Sequence, residues 1–222
     1  MRSRRRNPAP YSHEEMLRLS RGTLTTPDET IKVHQIGKGA FAVAYVEDNV
    51  PAGRIPRVFI VVNDDVYDKE LLAMAHDSEP RNPHLPAVER FGYLPDKTVF
   101  AMPLYRAPLR KTDSPEGWRD YLMLKKCRDK IYGPGAGVRK SGYEINEDVY
   151  ACAEAAGVRP KVLDALRVLI DTASNYGAEY VFEFSPRNLA TDEAGNLILL
   201  DVLYDREALT RLRRAAATRR DW

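Results

Sequence analysis

The sequence predicts an α+β fold: a five-stranded antiparallel lobe carrying one helix, followed by a compact, mainly helical lobe. Two observations carry this reading. Between Thr23 and Tyr105 short β-type runs alternate with turn residues, and after Pro108 apolar residues recur at helical spacing. The 222 residues suffice for one sizeable core or two small lobes packed together. An apolar share of 44% with 30% charged residues belongs to an ordinary globular chain and excludes overall disorder.

In chain order, residues 1–10 read as an Arg- and Pro-rich arm. Tyr11 to Ser20 reads as a short amphipathic helix, with Ser12 as N-cap and Glu14 and Glu15 in the first turn, where acids complement the helix dipole. Strands are then expected at Ile31–Ile36, Ala42–Glu47, Arg57–Val62, Ala87–Tyr93 and Thr98–Met102, with a helix at Tyr67–His76 after the third. Asn49 to Pro56 and Leu94 to Lys97 supply turns. Glu116–Tyr132 is the next helix, with Trp118, Tyr121, Leu122 and Leu124 available for packing. Gly133-Pro134-Gly135-Ala136-Gly137 breaks it; lacking a Gly-Lys-Ser/Thr ending, this run reads as a loop rather than a phosphate cradle. Pro160 to Tyr176 is the strongest helical pattern: Val162, Leu163, Leu166, Leu169, Ile170 and Ala173 share one face, and Gly177 follows as C-cap. A strand-loop-strand stretch from Tyr180 to Leu203 and a basic helix from Arg206 complete the order. The expected divisions are a basic arm with its short helix at 1–22, a strand lobe at 23–106, a helical lobe at 107–205 and the basic helix at 206–222.

Net charge is only +2, but arginines crowd both ends: Arg2, Arg4, Arg5 and Arg6, then Arg206, Arg211, Arg213, Arg214, Arg219 and Arg220. Such termini either meet phosphate-rich or acidic surfaces, nucleic acid included, or are simply solvated; the solvated reading is favoured. Cys127 and Cys152 have no metal-ligand spacing and read as two inert thiols in a reducing cytoplasm. No apolar run approaches the ~18 residues of a membrane span, and the N-terminus lacks a signal-peptide core. A cytoplasmic protein without membrane contact is expected.

Two motifs carry chemistry. Gly37-Lys38-Gly39-Ala40-Phe41 lies in a turn between strands, where paired glycines let backbone amides approach phosphates and Phe41 caps the loop; an ordinary hairpin is the alternative. Glu183-Phe184-Ser185-Pro186-Arg187-Asn188 precedes two apolar runs, Leu189–Thr191 and Leu197–Leu200, around the turn Asp192–Asn196, and Asp201 closes the second. A hairpin of that length brings Asn188 and Asp201 side by side. An amide oxygen and a carboxylate there suit a hard cation such as Mg²⁺; two turn-capping polar residues are the alternative.

Together these motifs and the element order resemble the protein kinases, over about Ile31 to Tyr204. The family's catalytic segment runs Asp-Leu-Lys-Pro-x-Asn, then a hairpin, then Asp-Phe-Gly; here Glu183 to Asn188 and Asp201-Val202-Leu203 stand at that spacing. Asn82-Pro83-His84-Leu85-Pro86 is similar to the turn before the family's fourth strand, and Met102-Pro103-Leu104-Tyr105 falls at its hinge. Within the family, the loop from Gly37 to Tyr45, the compressed C-terminal lobe and Phe182 resemble the early host-shutoff serine/threonine kinases of short-tailed bacteriophages. The resemblance implies ATP and Mg²⁺ as cofactors. Gly37, Lys38, Gly39, Phe41, Met102 and Leu104 would contact the nucleotide, Asn188 and Asp201 would hold the metal, and Glu183, Asn188 and Asp201 would form the catalytic set. The partner would be a protein substrate or host protein, in the host cytoplasm if the chain is phage-encoded.

The departures are as telling. Ile60 stands where the family's third strand carries a phosphate-gripping lysine, leaving Glu70, the candidate pairing glutamate, without that partner. Lys38 is the candidate substitute. Glu183 replaces the catalytic Asp, and a displacement of ~1 Å in a positioned group costs about a hundredfold in rate. Ser185 removes a further cation, and Val202-Leu203 replaces the family's Phe-Gly. The short stretch after Asp201 leaves no room for a full activation segment. Three functions follow: a weak protein serine/threonine kinase, a pseudokinase acting by contact as inhibitor or adaptor, and a small-molecule phosphotransferase, which usually keeps an Asp and a His absent here.

Overall fold

The computed structural model describes residues 17–38, 42–63, 68–77, 81–132, 140–177, 179–207 and 210–211. They fall into two compact units. One takes the described residues before position 67 together with Val88–Leu104; the other takes those of positions 67–87 and from Tyr105 onward.

The first unit is an antiparallel sheet of strands β1 (Arg18–Ser20), β2 (Thr23–Thr25), β3 (Thr30–Lys38), β4 (Ala42–Glu47), β5 (Arg57–Asn63), β6 (Glu89–Leu94) and β7 (Lys97–Pro103). Their spatial order is β1-β2-β3-β4-β5-β7-β6. The five expected strands are present, but the sheet has seven, because a hairpin adds β1 and β2. That hairpin also corrects the helix expected to reach Ser20: Arg18–Ser20 pairs with Thr23–Thr25 instead. The reason lies in two residues. Arg21 and Gly22 hold φ of 48° and 78°, the positive values that a tight two-residue hairpin turn demands. Ser12, Glu14, Glu15 and the arginines of residues 1–6 lie outside the described residues.

Alternation on β3 buries Ile31 and Val33 while Thr30, Lys32 and His34 face water. In mid-sheet, β5 buries Val58 through Val62 on both faces. The core gathers Leu17, Leu24, Ile31, Val33, Phe59, Val61, Leu94, Val99 and Ala101. Leu17, just before β1, donates its N–H to the Tyr93 carbonyl on β6 (2.6 Å), so the two ends of the strand order are tied together. Glu47 accepts from Arg57 Nε (3.1 Å) and Arg54 Nη2 (2.5 Å). Burial alone would raise its pKa, but these hydrogen bonds outweigh burial and hold the carboxyl below its ordinary value.

The second unit has, among the described residues, helices α1 (Asp68–His76), α2 (Pro115–Tyr132), α3 (Gly142–Ala155) and α4 (Pro160–Ser174). Two ribbons accompany them: β8 (Tyr180–Phe182) with β11 (Leu203–Asp205), and β9 (Leu189–Thr191) with β10 (Leu197–Leu199). Helix α1 groups with this unit, packing on α4 and touching β11. The α4 stripe of Val162, Leu163, Leu166, Leu169, Ile170 and Ala173 is buried, and Pro160 opens the helix where its missing N–H costs nothing. No element was expected at α3. It starts at a capping box in which Ser141 Oγ accepts from Glu144 N (3.3 Å) and Glu144 Oε2 from Ser141 N (2.9 Å).

Arg206, Glu207, Thr210 and Arg211 are helical; the Gly133–Gly137 run and residues 212–222 lie outside the described residues. Both cysteines are free thiols. Burial first, then a hydrogen bond with Cys152, pushes the Cys127 thiol up to about 12, so it stays protonated and unreactive at neutral pH. Among the described residues no helix is long and apolar enough to cross a membrane.

The turn at Asn82–Pro86 is pinned on both sides. Asn82 Nδ2 donates to the Lys161 carbonyl (2.8 Å), and His84 shares a 2.7 Å hydrogen bond between its Nδ1 and the Leu197 carbonyl. Leu199 N in turn donates to the His84 carbonyl (2.9 Å). His84 is buried, and burial pulls its pKa below the ordinary 6.5 despite the bond to Leu197. Above 6.5 the ring is neutral in folded and unfolded chains alike, and its contribution to stability is fully present. As pH falls below that value the unfolded chain takes the proton first, so stability drops until the folded pKa is passed. Chemical denaturation between about pH 7 and pH 5 is expected to show this loss, and His84→Gln to flatten it.

Candidate functional site

Helix α4 ends at Ser174 and delivers the chain into β8, whose three residues are all buried. On one side β8 pairs antiparallel with β11, in register Leu203↔Phe182, Tyr204↔Val181 and Asp205↔Tyr180. On the other, the side chain of Asn146 on α3 serves in place of a strand: its Oδ1 accepts from Phe182 N (3.0 Å) and its Nδ2 donates to the Tyr180 carbonyl (2.9 Å). Arg128 of α2 adds a long contact from Nε to the Phe182 carbonyl (3.4 Å), its guanidinium lying 5.4 Å from the Tyr132 ring centroid.

The residue that β8 presents next is Glu183, exposed to solvent, its N–H donating to the Val202 carbonyl (2.8 Å). A 3₁₀ turn at Pro186–Asn188 then leads into β9. The β9–β10 hairpin closes in the register Leu189↔Leu199, Ala190↔Ile198 and Thr191↔Leu197. Beyond it the Asn188 carbonyl accepts from both Leu200 N and Asp201 N (3.0 Å each). One main-chain frame therefore brings Glu183, Asn188 and Asp201 together: Asp201 bonds to Asn188, and its neighbour Val202 bonds to Glu183. Asn188 and Asp201 are both partly exposed.

The donor set is small. Among the described residues no group of three or more His, Cys, Asp or Glu side chains could hold a metal ion. An amide oxygen and one carboxylate do not make a closed cage. They do fit Mg²⁺ as it is usually held, by one or two protein oxygens with waters and phosphate oxygens completing the octahedron. The residues present thus suit a metal that arrives with a phosphate ligand.

The other sequence-predicted residues that the structure describes belong to the first unit, except Glu70. Gly37 and Lys38 end β3, paired with Ala44 and Val43. A Cβ on Gly37 would lie 4.0 Å from the Ala44 Cβ, an ordinary contact, so the sheet itself does not demand glycine there. Lys38 is exposed; Gly39 and Phe41 lie outside the described residues. Met102 is buried on β7 opposite Val58, and Leu104 is exposed with its N–H on the Pro56 carbonyl (2.8 Å). Ile60, at the position where a cation was sought, is buried between Ala44 and Phe100 in the sheet. Glu70 falls on α1, its side chain outside the described residues.

Asn146 and Arg128 were not singled out in the sequence. The S-x-x-E signature at Ser141–Glu144 was a signal for α3, and a helix there would have drawn notice to an asparagine among its apolar positions.

No family model and no curated protein matches the chain. Among solved structures, the chain is similar to the crystal structure of a BubR1 kinase domain at 12% identity and a TM-score of 0.38. The match covers 86% of this chain and 53% of that one, so this chain spans about half the length of that domain.

Proposed function

We propose that the chain is an atypical protein-kinase-like protein that binds ATP with Mg²⁺ and transfers phosphate weakly to a protein serine or threonine. The observation that carries this reading is the main-chain frame joining Glu183, Asn188 and Asp201. In this reading Asn188 and Asp201 hold the metal. Bound Mg²⁺ would neutralise the charge on the phosphate oxygens. Glu183, exposed at the end of β8, orients the acceptor hydroxyl and takes its proton. If the chain is phage-encoded, as its resemblance to the phage kinases suggests, the acceptor is a host protein in the host cytoplasm.

A second reading, a pseudokinase acting as a protein-binding inhibitor or adaptor, is favoured by one observation. Ile60 is buried and uncharged where phosphoryl transfer calls for a cation. Transfer of label from γ-labelled ATP to protein substrates separates the two. Incorporation by the wild-type chain that falls about a hundredfold or more in Glu183→Gln is expected. Incorporation absent throughout would leave the pseudokinase reading, and incorporation unaffected by that substitution would remove the role given to Glu183.

A further inference from the structure

Cys127 and Cys152 are the chain's only cysteines, and the packing of α2 on α3 brings them together. Cys127 closes the buried stripe of α2 that runs through Gly117, Asp120, Tyr121 and Leu124. Cys152 lies half-buried on α3, next to the buried Ala153. The two thiols are close enough to hydrogen-bond, and Lys126 and Lys130 place positive charge near Cys127. These helices also carry the supports of β8. Arg128, the residue after Cys127, reaches the Phe182 carbonyl, and Asn146 of α3 holds the Phe182 N–H and the Tyr180 carbonyl.

We propose that Cys152 is a modification site for low-molecular-weight disulfides such as oxidised glutathione, and that Cys127 resolves the adduct into a bridge bracing the two helices that support β8. The Cys152 thiolate attacks one sulfur of the oxidant, breaks its S–S bond and releases one glutathione. The Cys127 thiolate then attacks Cys152 Sγ, the bond between the two protein sulfurs forms, and the second glutathione leaves. The protein gives up two electrons, the oxidant takes them, and both protons end on the released thiols. Burial shields Cys127 from reagents in solution but not from a disulfide held against it. A thiol pushed up to about 12 is ionised to roughly one part in 10⁵ at neutral pH, and an effective concentration of ~10⁵ M for a positioned pair offsets that fraction. Lys126 and Lys130 favour the thiolate and draw the anionic oxidant. In a reducing compartment such a bridge is transient and senses redox state rather than holding the fold. None of this chemistry requires a nucleotide.

The test is incubation of the full chain with oxidised glutathione, read by intact mass, peptide mapping and melting temperature. The wild-type chain should lose the mass of two hydrogens and yield a cross-linked pair of peptides carrying Cys127 and Cys152. Closing the loop between the helices should raise the melting temperature by roughly 5 °C or more, and dithiothreitol should reverse both changes. Cys127→Ser should stop at a glutathione adduct on Cys152, in a fold checked by circular dichroism. Cys152→Ser, at a half-buried position, should leave Cys127 unmodified and tests the order of attack even where the first variant fails to fold. Two thiols persisting in the wild-type chain, an adduct that never resolves, a bridge between chains, or glutathione on Cys127 in Cys152→Ser would each overturn the proposal. A bridge formed within the chain without a rise in melting temperature would overturn the bracing role.

Discussion

Replacing Asp120 with alanine is expected to lower the unfolding free energy by about 3 kcal/mol, read from urea denaturation. Asp120, on α2, is fully buried, and its Oδ2 takes the Arg159 Nε at 2.5 Å. Arg159 occupies the N-cap of α4, where the helix dipole disfavours a cation, and its Nη2 is already buried without a partner. Removing the carboxylate leaves a mostly buried guanidinium uncompensated, which is costlier than the net worth of the pair. Glu116 keeps its 2.9 Å contact with Nη1, and the Arg159 side chain is 26% exposed, so the low end of the range applies. The double variant Asp120→Ala/Arg159→Met should recover part of the loss. A single-variant cost under about 1 kcal/mol would show that water reaches the arginine freely.

Asn146→Ala carries the second large effect, about 2–4 kcal/mol by the same measurement. The asparagine is 1% exposed and satisfies the Phe182 N–H and Tyr180 carbonyl at once, both on a fully buried strand. Truncation leaves the Phe182 N–H without its acceptor and takes a donor from the Tyr180 carbonyl, and a buried polar group without a partner costs more than a made bond contributes. The strand it releases ends at Glu183. On the proposed kinase reading the variant should lose phosphoryl transfer along with stability, whereas Asp120→Ala acts on stability with its effect centred on α2 and α4.

How much of this was legible in the sequence depends on the element. The strands β3 to β7 were readable because alternation and turn residues agree along them, and β4 falls on the expected Ala42–Glu47. Helix α4 was readable because its stripe is long and Pro160 marks its start. The β1–β2 hairpin was hidden: Arg21 gives no sign that it will take a positive φ, and the acids and apolar residues before it repeat at helical spacing. Tertiary pairing with β3 then outweighed local pattern. The adjacency of Asn188 and Asp201 followed from two apolar runs around a turn rich in Asp, Gly and Asn. The supports of that site did not, because Asn146 and Arg128 lie far away in the chain and nothing in their local sequence points toward β8.

The most direct measurement is the melting temperature of the full chain with ATP, with Mg²⁺, and with both, repeated on Asp201→Ala. Because Asn188 and Asp201 offer only two ligand side chains, Mg²⁺ alone should shift nothing. ATP with Mg²⁺ at about ten times its Kd should stabilise by ~1.4 kcal/mol, a rise of roughly 3–5 °C for a chain of this size. The rise should vanish in Asp201→Ala. A melting point unmoved by ATP and Mg²⁺ together, or a shift that survives the loss of Asp201, would contradict a nucleotide site built on that hairpin.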